Sequence, residues 1–172
     1  MGNGGKPVDV KRARSNIENY GDPYITPARP EEIRICSVCG AIFSGQRWYL
    51  KSQVDPDKLK GQEVHYTVCP ACHKIRDRSP GGIVQLMGNF LNEHKQDILN
   101  LIRKEGERAM TINPLERIID IYGEDSTYGV TTTNEKLAQK IGRALHKAYD
   151  GEIIYKWSEN NKLLRVIWRR EQ

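Results

Sequence analysis

Four cysteines stand in two pairs, Cys36-Ser-Val-Cys39 and Cys69-Pro-Ala-Cys72, with twenty-nine residues between them. The second pair precedes His73, so read alone it matches C-x-x-C-H, the pattern that attaches a c-type haem. A haem would leave the first pair without a role, and its attachment normally requires export. Zn²⁺ uses all four, because structural zinc takes tetrahedral thiolate ligands. Two residues between cysteines allow a tight knuckle that turns both sulfurs inward and points backbone N–H groups at them. Gly40 suits the turn after the first pair, and Pro70 stiffens the second. In a reducing cytosol, paired C-x-x-C motifs favour metal over disulfide. No βαβ context supports a thioredoxin-like redox pair. Catalytic zinc keeps a position open for water, and four thiolates leave none. The expectation is one structural Zn²⁺ at Cys36, Cys39, Cys69 and Cys72, with His73 beside the site but outside it.

Those cysteines need elements to hold them. Residues 41–50 and 63–68 are rich in aromatic and β-branched residues and read as strands. The polar segment 51–61, with Pro and Gly, reads as the hairpin loop between them. Knuckle, strand, loop, strand and knuckle make a zinc ribbon over residues 33–80. Residues 1–32 read as a flexible, Pro-containing arm with a basic cluster at Lys11, Arg12 and Arg14. Residues 81–114 read as a connector: a strand at 81–88, then a helix over 89–108. That helix shows one apolar face at Phe90, Leu91, His94, Ile98, Leu101 and Ile102, and Asn89 is its expected N-cap. The segment 109–114 reads as a linker. Residues 115–172 read as a ββαββ domain. Its hairpins lie over 115–133 and 151–170, and its helix spans 135–149 behind Asn134 as N-cap. The fold class is α+β: an N-terminal zinc ribbon, a helix, and an antiparallel sheet covered on one face by a helix.

The chain has 172 residues and a net charge of +5, with a pI near 9.0. That balance mildly favours a polyanionic partner. On the 135–149 helix, Leu137, Ile141, Leu145 and Ala148 form the packing face. Lys136, Lys140, Arg143 and Lys147 form the opposite one. Like charges four residues apart cost roughly 0.2–0.5 kcal/mol per pair, and no acid on the stripe offsets them. The row suits phosphate contacts, or is simply a basic solvent face. Arg165 and Arg169 alternate with Leu163 and Ile167 on the last strand. Trp48, Tyr49 and Tyr66 lie near Arg47, Lys74, Arg76 and Arg78 in the ribbon. They either stack on bases or form the ribbon's own small core.

No nucleotide-binding loop, serine-hydrolase elbow or metalloprotease motif is present, so neither an enzyme nor a small-molecule substrate is expected. The first twenty residues lack the apolar core of a signal peptide, and no apolar run approaches the roughly 18 residues of a membrane span. Lys6 stands where myristoylation needs Ser or Thr. The expected location is cytoplasmic.

With its paired cysteines, its Cys69-Pro-x-Cys72-x-x-Ile-Arg-Asp-Arg78 run and the segment "GVTTTNEKLAQKIGRALHKAYDGEIIY", the chain resembles a little-characterised bacterial family of zinc-ribbon proteins. More distantly it is similar to the adaptor that joins the large ribosomal subunit late in assembly in archaea and eukaryotes. That adaptor has more C-x-x-C pairs and further β-rich domains. The resemblance implies zinc at the four cysteines and contact with ribosomal RNA. The function expected is therefore a non-enzymatic, ribosome- or RNA-binding protein. Its candidate contacts are Lys136, Lys140, Arg143, Lys147, Arg76, Arg78, Arg165, Arg169, Lys11, Arg12 and Arg14. A DNA-binding or transcription-associated zinc-ribbon regulator and a protein-interaction module are the alternatives. No helix-turn-helix supports the first of these.

Overall fold

The computed structural model describes residues 24, 29, 31–160 and 162–172, and these form two sheets and three α-helices. The first sheet holds β1 (Ile33–Cys36), β2 (Ile42–Ser44), β3 (Arg47–Tyr49) and β4 (Val64–Thr67) in the order β3-β2-β1-β4. The single strand expected over 41–50 is two strands. The chain turns at Gly45-Gln46, with φ of 57° and 68°, the left-handed pair that a two-residue hairpin turn demands. The segment 51–61 does not close a hairpin. It makes two short 3₁₀ turns, Lys51–Gln53 and Pro56–Leu59, and delivers β4 parallel to β1, with Cys36 opposite Thr67. Helix α1 (Pro70–Asp77) follows at once. The cysteine spacing by itself implies only a knuckle there. Pro70 at the first helical position is the signal, since its missing N–H costs a helix start nothing.

The second sheet is built from β5 (Gly82–Met87), β6 (Ile118–Glu124), β7 (Thr127–Thr132), β8 (Glu152–Trp157) and β9 (Leu164–Arg169). Helix α2 (Phe90–Ile112) follows β5, and α3 (Glu135–Tyr149) joins the two hairpins. The strand order is β6-β7-β5-β9-β8. The sheet is mixed rather than antiparallel, because β5 and β9 run parallel. Residues 81–114 are therefore no connector: they supply the central strand and one of two covering helices. That pairing joins segments about eighty residues apart, which no local pattern reveals. Helix α2 also continues through residues expected as a linker, to Ile112.

One apolar layer lies between the sheet and both helices. Val84 and Leu86, Val130, and Leu164, Val166 and Trp168 alternate along their strands and bury against Leu91, Ile98 and Ile102 of α2 and Leu137, Ile141 and Leu145 of α3. Ala148, expected on that face, is exposed. Gly142 takes its place in the closest approach. A Cβ there would sit 2.7 Å from Val166 and 2.9 Å from Ile153. No helix among the described residues is long and apolar enough to cross a membrane.

Candidate metal centre

Cys36 ends β1, Cys39 lies in the following turn, Cys69 caps α1, and Cys72 sits in its first turn. Gly40 closes the first knuckle at φ +77°, where a side chain would be strained. Its N–H donates to the Cys36 carbonyl at 2.9 Å, and the Cys36 N–H returns to Ala41 at 2.8 Å. The four sulfurs all lie within 4.8 Å of one another, and Cys36, Cys69 and Cys72 are buried. No disulfide forms; all four are free cysteines. Around a tetrahedral ion with metal–sulfur bonds near 2.3 Å, neighbouring sulfurs stand about 3.8 Å apart. Cys39 Sγ and Cys69 Sγ are separated by 3.8 Å. The donor set and its spacing thus suit one metal ion with four thiolate ligands.

Backbone amides complete the sulfur shell. The Cys69 N–H donates to Cys36 Sγ at 3.2 Å, and the Cys72 N–H to Cys69 Sγ at 3.4 Å. Among themselves the sulfurs share protons unequally. The hydrogen bond between the Cys39 and Cys69 sulfurs lowers the Cys39 pKa to about 4, helped by the Ala41 amide. The same hydrogen bond, with burial, pushes Cys69 above the ordinary thiol range. Burial also raises Cys72, against the pull of Arg117.

Sequence reading missed Arg117. Its Nη2 donates to Cys72 Sγ at 3.3 Å and Cys69 Sγ at 3.4 Å, from the edge of the other sheet. Burial opposes its charge, but the hydrogen bond to Cys72 and the sulfurs' negative charge outweigh that and raise its pKa. Three further bonds fix it. Its N–H donates to Thr133 Oγ1 at 2.9 Å, its Nε to the Pro114 carbonyl at 3.0 Å, and its carbonyl accepts from the Thr133 N–H. Leu115 of the same segment packs against the buried cysteines. Glu116, only 3% exposed, turns to α3 and accepts from Lys140 Nζ at 2.6 Å. No spacing rule flags an arginine forty-five residues from its sulfur partner.

The other expected contacts do not gather at one place. On α3, Lys136, Arg143 and Lys147 are exposed, but Lys140 is committed to Glu116. Arg143 reaches Gln139. Arg165 and Arg169 lie on the sheet face opposite the helices, and Ile167 shares that face with them rather than alternating across it. Arg169 pairs with Glu171 at 2.9 Å. Arg76 bonds Asp77 and His73, and Arg78 is exposed at the end of α1. His73 therefore points to Arg76 and is no member of the sulfur cluster. Trp48 packs against the buried cysteines, which makes it core, whereas Tyr66 is 74% exposed. Lys11, Arg12 and Arg14 lie outside the described residues.

No family model matches the chain, and neither does any curated protein or solved structure.

Proposed function

We propose that this chain is a non-enzymatic zinc-binding protein that binds RNA, with the ribosome or one of its subunits as the leading target. In this reading the cysteine module is a zinc ribbon in which Zn²⁺ is structural. Four thiolates leave no ligand position for water, and Arg117 occupies the sulfur face nearest the second sheet. The observation that carries the RNA reading is the outer face of α3. Lys136 and Lys147, with Arg143 between them, are exposed there, and none forms an ion pair with a carboxylate among the described residues. Such a row suits successive phosphates. Lys140 is excluded from it, because freeing its ammonium would strand the buried Glu116 carboxylate.

Co-sedimentation with ribosomes in sucrose gradients tests this reading, at two stated salt concentrations and with RNase as control. Migration with a ribosomal particle that weakens at high salt, and that Lys136→Glu/Lys147→Glu abolishes, is the expected result. Salt-independent association that survives nuclease would replace RNA by a protein partner. Preference for duplex DNA over structured RNA would replace it by DNA.

A further inference from the structure

Both helices cover one side of the five-stranded sheet, and the side chains of its other side fall in register. The middle row runs Tyr122, Gly129, Gln85, Ile167 and Ile154, from β6 to β8. The next row ends on Arg165 and Lys156, directly opposite each other on β9 and β8.

The outer side of this row is open to solvent at Tyr122 and Ile154. A Cβ at Gly129 would meet the Tyr122 ring at 2.4–2.6 Å. The ring therefore lies across the sheet over Gly129, and Tyr122 remains 50% exposed. An aromatic ring laid against the sheet with an open outer side is a platform for a base. Gln85, half-buried at the centre of the row, makes no side-chain hydrogen bond among the described residues, so its amide is free to donate and accept. Like charges directly opposite on neighbouring strands are destabilising, yet Lys156 and Arg165 face each other with no carboxylate in ion-pair distance among the described residues.

Charge also gives the face a direction. Asp120 and Glu124 stand on β6, at the far edge, while Glu152 sits opposite Arg169, itself paired with Glu171. Uncompensated positive charge is thus confined to Arg165 and Lys156. The Tyr122 ring lies over β7; Arg165 stands two strands away and one row along, about 12 Å between backbone positions at ordinary strand spacing and rise, and Lys156 one strand further. The long Arg165 and Lys156 side chains and a short stretch of single strand span that gap, with a phosphate at one end and a stacked base at the other.

We propose that this open face binds single-stranded RNA: phosphate at Lys156 and Arg165, a base stacked on Tyr122, and its edge hydrogen-bonded by Gln85. The proposal rests on the RNA reading above and adds a second surface, on the side of the sheet away from α3. An apolar protein partner would not need the opposed cations, and a duplex would not present a free base to the ring.

The test is fluorescence anisotropy of the metal-loaded full chain with labelled oligouridylate and oligoadenylate RNA of about twelve nucleotides, at stated salt. Tyr122→Ala should weaken binding about tenfold or more, whereas Tyr122→Phe, which keeps the ring, should retain it. Lys156→Gln/Arg165→Gln should weaken binding and flatten its salt dependence. Lys136→Glu/Lys147→Glu should leave the oligonucleotides bound while releasing ribosomes. Oligonucleotide affinity unchanged in the Tyr122→Ala and Lys156→Gln/Arg165→Gln proteins overturns the proposal. So does a wild-type chain that binds ribosomes but no oligonucleotide, which leaves the α3 reading intact. A dimer in sedimentation velocity that Tyr122→Ala dissociates assigns the face to a second copy and likewise overturns it. Loss of both ribosome and oligonucleotide binding in the wild type removes the RNA reading itself.

Discussion

Around the cysteines, five residues are buried together, three of them cysteines, with Trp48, Val68 and Leu115 packed on the outside. Between the second sheet and its helices, sixteen residues are buried in one cluster. The first module has roughly fifty residues, near the size below which apolar burial stops sufficing and a metal or disulfide is needed. The second has continuous alternating strands and two amphipathic helices, which is enough without help. Each region therefore has its own point of failure: proton and metal chemistry in one, cavity formation in the other.

On the zinc reading proposed above, the largest effect should follow from removing the metal. Structural zinc in small modules contributes about 10–16 kcal/mol of apparent binding free energy at neutral pH, and that energy is folding energy. Chelation, or Cys69→Ser, should abolish amide protection in β1–β4 and α1 while residues 82–169 keep theirs, as read by hydrogen-exchange mass spectrometry. Acid should act in the same direction, because protons compete with the ion for the four thiolates. Protection lost together in both modules would break the comparison. The reciprocal change is Trp168→Ala. The ring is fully buried and donates to the Asp150 carbonyl at 2.7 Å. Its loss should cost about 3–5 kcal/mol, seen as a large fall in the melting temperature of the sheet, with metal content unchanged below the transition.

What could be read from the residues differs between the two regions for the same reason. The cysteine cluster was legible because metal chemistry fixes residue type and close spacing. The α3 helix was legible because its N-cap and its apolar period are local: Asn134 Oδ1 does accept from the Leu137 N–H. The parallel pairs β1/β4 and β5/β9 were not legible, since nothing within either strand names a partner thirty or eighty residues away. Nor was the split of 41–50 into two strands, which depends on one turn at Gly45-Gln46. Arg117 lies at the extreme: its role exists only because one module is laid against the other.

Arg117 is also where the comparison can be sharpened, because it belongs to one region and acts on the other. Groups that hydrogen-bond metal ligands are typically worth 10–100-fold in affinity. Arg117→Met should raise the metal dissociation constant by about that factor in a chelator competition, with the melting of the sheet domain little changed. Arg117→Lys should not restore it fully. One ammonium cannot serve the Pro114 carbonyl and both sulfurs as the guanidinium fork does. Unaltered metal affinity would mean that the two regions merely touch.

The smallest effect compares two asparagines of the sheet domain that look alike in sequence. Each precedes a helix, and each was expected to cap it. Asn134 has extended backbone and accepts from the Leu137 N–H at 3.0 Å. Asn89 has helical backbone and no side-chain cap bond, and its N–H is taken by Glu171 at 3.4 Å. Asn134→Ala should therefore cost about 1 kcal/mol, measured by urea unfolding of the metal-loaded protein. Asn89→Ala should fall within the few tenths expected of a surface change. Equal costs would mean that the Asn134 bond does not persist in solution, and the start of α3 would then owe its stability to packing of Leu137 and Ala138 against β5 and β9.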